Sequence, residues 1–178
     1  MAEMLLAEVQ PVPRGSIYWV PEHLWGETNP GYSRVQREDR KGHFGCATTR
    51  DDATPFARIP ILHGHTKNTL VRYSIRVDNL VGDGRGGYFD VLHRFMFMRE
   101  QFYSSRGGIR PNRHKSSLDS GELAELKRVE MLISSEIQCD LQQVRKIFKE
   151  YPAWSDCDLA ATWQVPTANC SKDGERNK

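Results

Sequence analysis

The sequence predicts a β-rich α+β fold, with a small, basic, strand-dominated body followed by one long amphipathic helix. Three observations carry that prediction. Residues 70–77 alternate with strict period two, putting Val71, Tyr73, Ile75 and Val77 on one face and Arg72, Ser74 and Arg76 on the other. Short runs rich in β-branched and aromatic residues, punctuated by Gly and Pro, fill the chain from Ser16 to Met98. Beyond Asp119, apolar residues recur at steps of three and four.

Residues 1–12 form a leader set off by Pro11 and Pro13, each of which fixes φ and removes a donor. Ser16–Val20 is the first predicted strand and stops at Pro21. Residues 21–43, with Gly26, Asn29-Pro30-Gly31 and a charged run from Arg37 to Lys41, predict a long loop. Gly45–Thr49 and Arg58–His65 predict two further strands, and Leu70–Val77 a third. Gly82-Asp83-Gly84-Arg85-Gly86-Gly87 predicts a turn or flexible loop, because repeated glycine permits positive φ. It is no P-loop, since no Gly-Lys-Ser/Thr follows. Tyr88–Leu92 and Phe95–Met98 predict two short strands.

Asp119 and Glu122 stand at capping-box spacing and open the helix. Its stripe runs through Leu123, Leu126, Val129, Leu132, Ile133, Ile137, Leu141, Val144, Ile147 and Phe148 and ends before Pro152. Such a helix is about 45 Å long, longer than a small barrel is wide. It therefore either breaks near Ser134-Ser135 or runs past the body. Residues 152–178 predict partial order around Trp154 and Trp163 and disorder after Cys170.

Composition narrows the function classes. With 178 residues, 27% charged and 38% hydrophobic, the chain can build a core and lacks the signature of disorder. No apolar run approaches the roughly 18 residues of a membrane span, and the first residues carry Glu3 and Glu8 where a secretory signal needs a basic segment. A cytoplasmic protein with no membrane partner is expected. Cys46, Cys139, Cys157 and Cys170 show no Cys-x-x-Cys spacing, which predicts reduced thiols. Residues 1–116 hold 17 Lys and Arg against 12 Asp and Glu, and residues 117–178 hold 8 against 11. A basic body with a slightly acidic tail fits a polyanionic partner as well as ordinary scatter.

Three polar clusters carry the candidate chemistry: Arg37, Arg40, Lys41 and His43; His63, His65, Thr66 and Lys67; and Arg99, Arg106, Arg110, Arg113, His114 and Lys115. Two histidines at His63 and His65 do not make a zinc site, and neither His-Glu-x-x-His nor a cysteine pair completes one. No metal or other cofactor is expected. Metal-free RNA cleavage needs a base for the 2′-hydroxyl, a cation for the phosphorane and an acid for the leaving oxygen. Lys41, His43, His65, Thr66 and Lys67 are suitable types, although His65 and Thr66 at a strand end equally suit plain backbone hydrogen bonding. The arginines Arg72 and Arg76 either hold phosphates or form a solvated face.

The order of these segments is similar to the MazF/PemK family of toxin endoribonucleases. Arg14-Gly15-Ser16-Ile17-Tyr18-Trp19-Val20 resembles that family's opening strand, R-G-[DE]-[IV]-[WY]-x-[VA]. Lys41-Gly42-His43-Phe44-Gly45-Cys46-Ala47-Thr48-Thr49 sits where the family has G-x-R-P and a strand ending in Ser. Ile61-Leu62-His63-Gly64-His65-Thr66-Lys67 resembles the strand leading to its threonine turn, and Arg99-Glu100-Gln101, Arg106, Ile109, Leu118 and Glu122-Leu123 resemble its close.

The resemblance covers residues 13–133 and implies an SH3-like twisted β-barrel with a C-terminal amphipathic helix. Residues 134–178 are then a helical extension and partly disordered tail without counterpart. It implies a homodimer, sequence-selective, metal-independent cleavage of single-stranded RNA to a 2′,3′-cyclic phosphate, and a cognate antitoxin. Lys41, His43 and Thr66 become the expected catalytic residues, and Arg14, Arg40, His65, Lys67, Arg72, Arg76 and Arg106 the expected RNA contacts. One departure is chemical: the family's catalytic arginine falls on Phe44 and its proline on Gly45. Loss of such a transition-state stabiliser costs about 10²–10³ in rate. The alternative is a catalytically silent barrel that binds nucleic acid or a protein.

Overall fold

A computed structural model describes residues 11–28, 42–48, 58–66, 71–102 and 108–139. In chain order the elements are β1 (Ile17–Pro21), α1 (Glu22–Thr28), β2 (Gly42–Ala47), β3 (Arg58–His65), a 3-10 turn (Val71–Tyr73), β4 (Ser74–Gly82), β5 (Arg85–Met98), a second 3-10 turn (Arg99–Phe102), β6 (Arg110–Pro111) and α2 (Ser120–Cys139). The six strands form one antiparallel sheet in the order β4-β5-β3-β2-β1-β6, curled into a half-barrel.

Three expectations are corrected, and the expected turn near Gly82 is present. The stretch after Pro21 opens with α1, not with a loop; Leu24 and Trp25, on one face of its turn, are buried in the core. The alternating segment keeps its two faces, with Tyr73, Ile75 and Val77 buried and Arg72 and Arg76 exposed, but extended pairing starts only at Ser74. Tyr88–Leu92 and Phe95–Met98 belong to one continuous 14-residue strand. Around Gly82 the chain makes a tight hairpin: Gly82 pairs with Arg85, and Asp83 and Gly84 both have positive φ, 54° and 73°. Two positive φ values match the right-handed twist of the flanking strands, and Asp-Gly is the pair that tolerates them.

The bend in β5 has a local cause. Its register with β3 shifts between the Leu62 and Gly64 positions, where one β3 residue faces Asp90–His93. Asp90 fills the gap. Its Oδ1 accepts from Leu92 N–H at 2.9 Å, and its Oδ2 lies 2.5 Å from His93 Nδ1, with both side chains buried. An Asp carboxylate thus takes over backbone donors that the ladder has lost. Asp90→Ala is expected to destabilise the protein by about 3 kcal/mol, because buried donors left unsatisfied cost roughly 1–3 kcal/mol each. Asp90→Asn, whose amide oxygen still accepts, is expected to lose less. Urea unfolding midpoints for the two variants measure this.

The core lies on both faces of the sheet. On one face, Ile17, Cys46, Leu62, Tyr73, Ile75, Val77 and Phe89 pack under Leu126, Val129 and Ile133 of α2. On the other, Tyr18, Val20, Ile59, Ile61, Phe95 and Phe97 pack around Leu24 and Trp25 of α1. Glycine at position 45 makes room for Ile61: a Cβ there would lie 2.6 Å from Ile61 Cγ2 but in ordinary contact, 3.6 Å, with Trp25 Cη2. Cys46 is a free, fully buried thiol, which burial pushes well above the usual thiol range.

Helix α2 begins as expected, in a reciprocal capping box. Glu122 N–H donates to Asp119 Oδ1 and Asp119 N–H to Glu122 Oε2, each at 2.9 Å. The helix runs unbroken through Ser134-Ser135, so no break occurs there. Carboxylates fasten it to the sheet. Glu130 bridges Arg14 (2.6 Å) and Arg94 (3.0 Å), Glu122 meets Lys115 at 2.7 Å, and Glu136 accepts from both Arg72 and Tyr73. Burial pulls the Arg94 guanidinium below the usual arginine value, and Glu130 opposes that pull. Burial, reinforced by the Glu136 hydrogen bond, pushes the Tyr73 phenol up to about 12. Among the described residues, no helix is long and apolar enough to cross a membrane.

Candidate functional site

Period two in β2 and β3 puts His43, Gly45 and Ala47, and Ile61, His63 and His65, on the face that carries Trp25. The three imidazoles therefore meet at the open end of that face. His43 and His63 rings lie 4.4 Å apart and His63 and His65 rings 4.5 Å apart, centre to centre. His63 Nδ1 faces His65 Nε2 at 3.0 Å, a separation at which one nitrogen donates and the other accepts. Glu22, at the start of α1, brings Oε2 to 2.9 Å from His43 Nε2. His63 is buried against the Trp25 ring, 4.5 Å between centres, whereas His43 and His65 are partly exposed and Thr66 fully so. Depth thus falls from His63 outward.

The arrangement supplies acid–base chemistry from this chain alone. A carboxylate at one imidazole nitrogen orients the ring and favours its protonated form. Two facing imidazoles pass a proton with little motion. Among the described residues, no group of three or more His, Cys, Asp or Glu side chains is arranged to hold a metal ion.

Of the residues expected from the sequence, His43 and His65 come together here through His63, and Thr66 is the exposed residue that follows His65. Arg14 and Arg72 do not. They are engaged by Glu130 and Glu136 of α2, so their charge is met inside the chain. Arg76 is exposed beside Asp78 at 3.3 Å. Arg40, Lys41, Lys67 and Arg106 lie outside the described residues, as do the N-terminal leader to Gln10 and the extension after Cys139. Two members of the site escaped the sequence reading. Glu22 was hidden in an expected loop, and His63 was set aside with the metal question. Glu-x-x-Trp following Pro21 was the available signal: i,i+3 spacing puts a carboxylate and a core aromatic on one helical face.

Phe44 points the other way. On the opposite sheet face it meets Trp19 edge to face, 5.1 Å between ring centres, and both line a groove of about 750 Å³ with Val81, Arg110, Arg113 and His114. His43 and Phe44, adjacent in sequence, therefore serve the two sides of one strand.

No protein-family model matches the chain, and no curated protein matches it.

Proposed function

We propose that this chain is a divergent member of the MazF/PemK type, an SH3-like barrel that cleaves single-stranded RNA without a metal ion. The observation that supports the reading is the convergence of Glu22, His43, His63 and His65 at one end of the half-barrel, with Thr66 next in the chain after His65. His43, oriented by Glu22, takes the proton of the 2′-hydroxyl. The freed oxygen attacks the adjacent phosphorus, and the bond to the 5′ oxygen breaks. The His63–His65 pair protonates that leaving oxygen, and the strand ends in a 2′,3′-cyclic phosphate. Thr66 donates a hydrogen bond to the phosphate, and Lys41 supplies the cation that Phe44 cannot. A homodimer and an antitoxin partner belong to the same proposal.

Phe44 favours a second reading, binding without cleavage. Growth separates the two. Induced expression in a bacterium is expected to arrest growth, and Thr66→Ala is expected to relieve the arrest at equal protein level. Unimpaired growth with the unaltered chain rules out the nuclease reading.

A further inference from the structure

The groove on the α2-side face is built unlike the histidine site. Trp19 on β1, Phe44 on β2 and Arg110 on β6 follow one another across the sheet, because Trp19 is the register partner of both Phe44 and Arg110. The two rings are inclined at 76° and so cannot stack on each other. Arg113 and His114 form the opposite rim, with Arg113 Nε 3.0 Å from His114 Nε2. His114 is seated over Gly82, where a Cβ would come within 2.6 Å of Nδ1. The floor is fixed: the Asn112 side-chain amide donates to Leu80 C=O at 3.0 Å and its backbone N–H to Ile17 C=O at 2.9 Å.

Charge is one-sided. Among the described residues no carboxylate lines the groove, and neither Arg110 nor Arg113 has a carboxylate partner. That separates them from Arg14, Arg72 and Arg94, whose charges are taken by α2. Two aromatic rings flanked by guanidiniums that no described carboxylate neutralises, on a fixed floor, match a chain that alternates flat π faces with phosphates.

We propose that the Trp19–Phe44 groove is a stacking site for unpaired bases of single-stranded nucleic acid, with Arg110 and Arg113 on the flanking phosphates. This deepens the proposed function, on whose polynucleotide substrate it rests. Base stacking does not depend on the sugar, so DNA binds in the groove as RNA does.

The test uses the full chain and a fluorescent oligodeoxythymidine of about ten nucleotides, read by anisotropy. This probe has no 2′-hydroxyl and cannot be cleaved, so its binding is independent of the histidine chemistry. The expected result is binding that weakens at least tenfold for an abasic strand of the same length. Phe44→Leu is expected to lose about tenfold for the thymidine strand and little for the abasic one. Arg110→Ala with Arg113→Ala, both on exposed side chains, is expected to flatten the salt dependence by about 1.4 in log–log slope, two phosphate contacts at about 0.7 each. Melting curves confirm that each variant is folded. Equal affinity for the abasic strand, or a salt slope unchanged in the arginine variant, overturns the proposal. So does displacement of the oligomer by polyglutamate at equal charge concentration, which identifies an acidic protein segment as the occupant.

Discussion

Replacing His43 by alanine is expected to lower the rate of single-stranded RNA cleavage by about 10²–10⁴-fold, the usual contribution of a positioned general base. The reason is geometric. His43 is partly exposed at the start of β2, and its Nε2 is held 2.9 Å from a Glu22 oxygen. The carboxylate and the imidazole are therefore already apposed before substrate arrives. Glu22→Gln keeps a hydrogen-bonding side chain but removes the charge that favours the imidazolium, and the expected loss is smaller, about tenfold. It should also move the pH–rate profile, which a merely structural Glu22 would not do. Single-turnover cleavage of an end-labelled RNA across pH measures both. The substitution at His43 should leave the melting temperature nearly unchanged, since the site lies at the rim of the core. A variant that cleaves at the unaltered rate removes His43 from the mechanism.

The largest stability effect is expected at Trp25. Its side chain is fully buried and meets His63, Phe95 and Phe97 edge to face, with ring centres 4.5, 5.1 and 5.0 Å away. Truncating such an aromatic costs about 3–5 kcal/mol, because the transfer energy is lost and a cavity remains. For a chain of this size that lowers the melting temperature on the order of 10 °C. The site should suffer too. Trp25 stands one helical turn after Glu22, so α1 loses its anchor and Glu22 its position beside His43. Trp25→Ala is thus expected to lose stability and cleavage together, and Trp25→Phe to recover most of the stability. Urea unfolding with parallel rate measurements tests this. A Trp25→Ala variant of unaltered stability contradicts the packing described.

Much of the fold was legible because its elements have unmistakable periods. Val71, Tyr73, Ile75 and Val77 announced a buried face, and Leu126, Val129 and Ile133 the helix stripe that covers it. Asp119 and Glu122 announced the cap, and the bonds are there. What could not be read was tertiary in origin. Short α1 has too few residues for a periodic signal, and it is held by Leu24 and Trp25, which are buried in the core of the sheet face it covers. The unity of β5 was hidden because Asp90 and His93 look like a polar interruption, and only the Asp90 side chain's capture of lost backbone donors explains them.

The site was half legible for the same reason. His43, His65 and Thr66 could be named from residue type and order. Their meeting depends on the β2–β3 register, with Gly45 opposite His63, which no local pattern fixes. Arg14 and Arg72 looked like phosphate contacts because nothing in sequence pairs them with Glu130 and Glu136, 116 and 64 residues away. The acidic balance of the later chain is, in part, the helix neutralising the body it covers. Arg110 and Arg113, on the groove that Phe44 lines, have no carboxylate partner among the described residues.

The chain's own histidines are proposed to cleave single-stranded RNA through the 2′-hydroxyl. Incubating the purified protein with an end-labelled RNA in excess chelator tests it most directly, alongside the same RNA carrying one 2′-deoxy substitution at the cleaved position. Cleavage in chelator, a 2′,3′-cyclic phosphate on the new end, and no cleavage at the substituted position are expected. Intact RNA, or cleavage that persists at the 2′-deoxy position, contradicts the proposal.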